Sequence, residues 1–236
     1  MRRPALFGTV IIGVALSLSL SLLACGSDSE ATPAPAGPVE VRPSTLFSGF
    51  DDGSATYKVP ATLANVGSGT TVKWVIADPD LATVEIETPS AGVKATAALS
   101  HHAIVTTKKA GKTTLKATAD GKTYSVPITI TQYAVGARDT GNDLYQDDRS
   151  SGPGGEAATK ALGCIGCHGA QGTARHSPSE IGGFDDATIL KTIATGERPG
   201  GKGLANNGNH KYMLDDKEKE AIMARLRSLE PTEFPE

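Results

Sequence analysis

The stretch AGKTTLKATADGKTYSVPITI, residues 110–130, decides how the first half of the chain folds. Residues 113–119 (TTLKATA) alternate in polarity and are rich in Thr, the pattern of a half-buried strand. Residues 125–132 (SVPITITQ) repeat it with Val and Ile. Asp120-Gly121 lies between them, and this dipeptide tolerates the positive φ angles that a two-residue hairpin turn demands. Ala110-Gly111 offers another turn upstream, and residues 70–77 (TTVKWVIA) form a third strand candidate. Short strands between turn signals over residues 39–133 predict a β-sandwich.

Two stretches, VKWVIADPDLATVEI (72–86) and the 110–130 segment, resemble the bacterial Ig-like domain, group 2. The resemblance implies that Trp74 is a core residue and that the module is a spacer or adhesive unit without chemistry of its own. It does not extend over residues 89–109, which hold His101-His102. Neighbouring side chains on a strand point to opposite faces, so this pair reads as a solvated loop or edge pair rather than a metal site. No Cys falls within 39–133, so packing must hold the sheets together.

The N-terminus reads as a targeting segment and is set aside from the fold. Arg2 and Arg3 precede an apolar run over residues 5–23, which ends in Leu22-Leu23-Ala24-Cys25. That ending resembles the lipobox of bacterial lipoproteins. The resemblance implies a signal peptide over 1–24 and a diacylglyceryl anchor on Cys25. An uncleaved membrane anchor is the competing reading, because the run is nearly long enough to span. Both readings put the rest of the chain outside the cytoplasm, at the periplasmic or extracellular side of the cell envelope. Gly26 in place of an Asp retention signal favours the outer membrane, if the source has one. Residues 25–38 are rich in Ser, Pro, Ala and Gly and read as a flexible tether. A net charge of -3 and a pI near 6.0 argue against a nucleic-acid partner, which would call for a basic face.

Beyond Tyr133 the composition changes. Residues 134–155 are polar and Gly-rich and read as a linker. Helix candidates follow at 156–163, at 185–195 with Gly196 as its stop, and at 215–229, where Asp215 and Glu218 have capping-box spacing. Residues 156–236 are thus expected to be helical with long Gly-rich loops, which a large cofactor would explain.

The chemistry is concentrated in Cys164-Ile165-Gly166-Cys167-His168. C-x-x-C-H reads as a c-type haem attachment site: two thiols for the two vinyl groups, and a histidine that supplies an axial nitrogen. A thioredoxin-like redox pair would need a βαβ context, and half a zinc site would need further ligands at suitable spacing. With Cys25 assigned to lipid, the three cysteines of the chain are accounted for.

ALGCIGCHGAQG (161–172), IGGFDDATILKTIATGERPGG (181–201) and HKYMLDDKEKEAIMARLRSL (210–229) resemble the class I cytochrome c family. The resemblance implies an all-α domain over 156–236, with Met213 as the second axial ligand and a Pro178 carbonyl that accepts the His168 imidazole N–H. His176 and His210 are the other candidates for the far side of the iron, and Met223 reads as core. The expected fold is therefore multidomain: an all-β Ig-like sandwich followed by an all-α class I cytochrome c domain. The expected function is a membrane-anchored mono-haem cytochrome that carries one covalent haem c and passes single electrons between redox proteins. Two alternatives stand beside it: a haem sensor or peroxidase-like protein with an open or labile distal site, and an Ig-like adhesion or scaffold protein that carries a haem module.

Overall fold

The computed structural model describes residues 37–86, 101–146, 164–168, 176–201, 203 and 212–235. Eight strands form two four-stranded sheets. The first has the order β1 (Glu40–Arg42), β3 (Lys58–Ala64), β6 (His102–Thr107), β5 (Ala82–Ile86), all antiparallel. The second has the order β2 (Leu46–Phe50), β8 (Lys122–Gln132), β7 (Gly111–Ala119), β4 (Lys73–Ile76), with β2 parallel to β8 and the other pairs antiparallel.

The β7–β8 hairpin turns where the sequence predicts. Asp120 and Gly121 have φ of 50° and 74° and connect Ala119 to its partner Lys122. Alternation then sorts the side chains: Leu115, Ala117, Val126, Ile128 and Ile130 are buried, whereas Lys116 and Ser125 face out. Trp74 joins the same core, which also holds Val59, Leu63 and Val105 of the other sheet. Each buried Val, Leu or Ile contributes about 1.5–3 kcal/mol, and packing of this kind holds the sheets together.

His101 and His102 depart from expectation, since both are buried. β6 is an interior strand between β3 and β5. The His101 ring meets the Thr70 carbonyl at 2.9 Å, and His102 Nδ1 meets the Thr62 hydroxyl at 3.0 Å. Phe234, from the end of the chain, covers the His102 ring at 4.5 Å between centroids. Burial, with the neighbouring His101 as a smaller contribution, holds the His102 pKa below the ordinary histidine range.

Five helices complete the described residues: α1 (Ala137–Gln146), α2 (Cys164–His168), α3 (Pro178–Ile181), α4 (Asp186–Thr195) and α5 (Asp216–Arg227). Local signals fix the ends of the last two. Asp185 accepts from Thr188 N at 2.7 Å, and Gly196 caps α4 in the left-handed conformation at φ 72°. Asp215 and Glu218 form the reciprocal capping box of α5. α1 falls within the segment expected to be a linker. Its formation depends on docking: Gly141 lets α1 approach α5 so closely that a Cβ there would lie 1.9 Å from the Ala221 carbonyl oxygen.

The expected all-α class I cytochrome c domain is not what the structure shows. The described chain is mostly β, in two sheets, and its helices are few and short, with α2 and α3 only five and four residues long. Nor do the helices among the described residues close a core of their own. Ile189, Ile222, Met223 and Leu226 are buried together with Tyr57 and Tyr133 from the sandwich. The helical stripes are too short to enclose an apolar interior, so the sandwich supplies one wall.

Arg227 ties the two parts together. Its side chain, 2% exposed, donates to the carbonyls of Phe47 in β2, Ile181 in α3 and Phe184 beyond it, and to the Asp186 carboxylate at the start of α4. Asp186 also accepts the Tyr133 O–H at 2.7 Å. A backbone bond from Phe47 N to the Gly182 carbonyl, 2.8 Å, adds to the joint.

Candidate functional site

The C-x-x-C-H motif is the whole of α2. Residues three and four apart share one face of a helix, so positions 164, 167 and 168 lie together. Cys164 is half-buried against the cluster of Tyr145, Ile189, Ile222 and Leu226. Ile165 is 45% exposed.

His168 is held from two sides. Tyr145, buried at the end of α1, donates its hydroxyl to the His168 carbonyl at 3.3 Å. The His176 ring stacks on the His168 ring, with centroids 3.6 Å apart and planes 14° from parallel. His176 Nδ1 lies 3.3 Å from the same Tyr145 oxygen. One hydroxyl has one proton; with that proton on the His168 carbonyl, His176 Nδ1–H donates to Tyr145. Burial, with Cys164 adding a little, pushes the Tyr145 pKa up to about 12, so the hydroxyl keeps its proton. The chain is pinned just beyond His176, because Ser177 caps α3 through a bond from Ser179 N at 3.3 Å.

Arg225 of α5 places its guanidinium 5.5 Å from the centre of the Tyr145 ring. Its Nε is buried with no hydrogen-bond partner among the described residues, and burial lowers its pKa. The C-x-x-C-H helix and the apolar surround of Cys164 are compatible with a covalently attached haem.

The other predicted residues are distributed as follows. Met213 lies on the segment entering α5 and is 74% exposed. Pro178 is buried at the start of α3; its carbonyl accepts Gly182 N at 2.8 Å, and its ring lines a crevice with Phe47, Val59 and Arg227. The ring set against His168 belongs to His176, two residues earlier. Met223 is in the core, as expected. Cys25, His210, residues 156–163 and the apolar run at 5–23 lie outside the described residues. Tyr145 and Arg225 were not singled out from sequence, although Ala137, Gly141, Leu144 and Tyr145 carry a helical i, i+4, i+7, i+8 signal.

Among the described residues, no group of three or more His, Cys, Asp or Glu could hold a metal ion. No helix among them is long and apolar enough to cross a membrane.

No family model and no curated protein matches the chain. Among solved structures it is similar to domains 4 and 5 of the S-layer protein SbsC, at 17% identity and a TM-score of 0.28, over 41% of this chain and 53% of that one. Domains 1–6 of SbsC give 18% and 0.28, over 42% and 13%. The M1 domain from titin gives 13% and 0.27, over 41% and 95%. The chain thus spans about half of the first structure and a small part of the second. Likenesses at this level carry no argument about function.

Proposed function

We propose that this chain is a c-type haem protein of the cell envelope that transfers single electrons between redox proteins. The observation that carries the proposal is the placement of Cys164, Cys167 and His168 on one short helix, with His168 held by Tyr145 and His176. When bound, haem supplies a one-electron redox centre. The protein's part is to hold and tune it. Cys164 and Cys167 would hold the macrocycle through thioether bonds, His168 and Met213 would be the residues that ligate the iron, and Arg225 would offer its guanidinium to a carboxylate. In this reading Cys25 carries the lipid anchor, residues 25–38 set the reach, and the sandwich is the platform against which the helices pack. Contacts with redox partners of this kind are small and transient.

The 74% exposure of Met213 supports a second reading, a labile distal side that admits a gas or peroxide. The two readings separate on the ferrous spectrum of the full chain, matured in a host that attaches c-type haem. An electron carrier shows a low-spin spectrum that carbon monoxide leaves unchanged, and Met213→Ala makes it responsive. Rapid carbon monoxide binding by the unaltered protein would put the sensor or peroxidase reading first.

A further inference from the structure

We propose that His176, held by Tyr145, is a positioning residue that fixes the plane of the His168 imidazole at the attachment site. This rests on the haem reading above but assigns a role that the motif does not contain. A histidine ring turns softly about its last torsion, which has a broad, two-fold preference. A ligand of that kind needs an outer contact to choose its plane, and metal-bound histidines usually find it in a hydrogen bond to their second nitrogen.

Here the contact is a ring face. His176 lies 3.6 Å from His168 and 14° from parallel, an arrangement that resists rotation of either ring. His176 is itself fixed at two points. Its Nδ1 meets the Tyr145 hydroxyl at 3.3 Å, and the next residue, Ser177, is the buried cap of α3. Tyr145 meets the His176 ring edge-on at 5.8 Å and also bonds the His168 carbonyl. A single hydroxyl on α1 thus sets both the backbone of α2 and the ring that lies against it.

The plane of an axial imidazole sets the orientation of its π orbitals relative to the iron d orbitals, so electron paramagnetic resonance of the ferric protein reads it. The full chain is matured with haem, purified in detergent, and compared with His176→Ala, His176→Phe and Tyr145→Phe. His176→Ala should keep its covalent haem and low-spin iron but show displaced and broadened g values. His176→Phe restores a ring face without a nitrogen and should return the signal towards that of the unaltered protein. Tyr145→Phe should move it in the direction of His176→Ala. If His176→Ala does not accumulate, His176→Phe decides alone. Unchanged g values in His176→Ala would overturn the assignment. So would high-spin iron in His176→Phe, which would make His176 a ligand. Absence of haem from the unaltered protein would instead defeat the haem reading itself, so the two failures are distinguishable.

Discussion

Arg227→Met is expected to lower the free energy of unfolding by about 3–5 kcal/mol, the cost of breaking a buried ion pair from one side. Methionine replaces the aliphatic stem of the side chain but none of its donors. The carbonyls of Phe47, Ile181 and Phe184 each lose a charged partner, and hydrogen bonds to charged groups are worth about 1.5–3 kcal/mol apiece. Asp186 keeps the Tyr133 hydroxyl but loses both contacts from the guanidinium. Arg227→Lys should recover little, because a point charge cannot meet four acceptors that a planar fork reaches together. Urea unfolding of the full chain measures the effect. A loss below about 1 kcal/mol, the scale of a surface pair, would mean that the helices do not depend on this joint.

Gly141→Ala gives a test of sign. Alanine in a helix interior gains about 0.5–1 kcal/mol over glycine, so an open position would be stabilised. Here the added Cβ meets the Ala221 carbonyl oxygen at 1.9 Å and the Arg225 Cβ at 2.9 Å. The first of these is backbone, and no side-chain rotation relieves it. α1 has to move away from α5, and the contacts of Tyr145 with His168 and His176 loosen with it. The net result should be a loss of about 1–3 kcal/mol, the usual cost of overpacking, and more for Gly141→Leu. Thermal unfolding and hydrogen exchange over residues 137–146 read both stability and place. A gain in stability would contradict the close crossing of the two helices.

The parts of the fold that were legible in the sequence are those set by local chemistry. Asp120-Gly121 makes its own turn, and Asp185, Gly196 and the Asp215/Glu218 pair mark their helix ends with bonds inside a few residues. What depends on distant partners was not legible. Polar α1 is a helix because Gly141 lets it lie on α5, and the buried His102 ring is covered by Phe234 from a distant part of the chain. The expected all-α domain failed for a related reason. Periodicity shows that Ile189, Ile222 and Leu226 need a partner surface, but not that Tyr57 and Tyr133 of the sandwich are part of it. At the candidate site C-x-x-C-H stood out in the sequence. The residues found around it, Tyr145 and His176 against His168 and Arg225 against Tyr145, come from three separate segments and met only in the fold.

The most direct test of the central claim is the mass of the mature chain, together with its absorption spectrum after denaturation, from a host that attaches c-type haem. The account predicts one haem that stays bound in denaturant and is lost from the Cys164→Ser, Cys167→Ser double variant. A chain that carries no haem, or releases it on denaturation, would contradict the account.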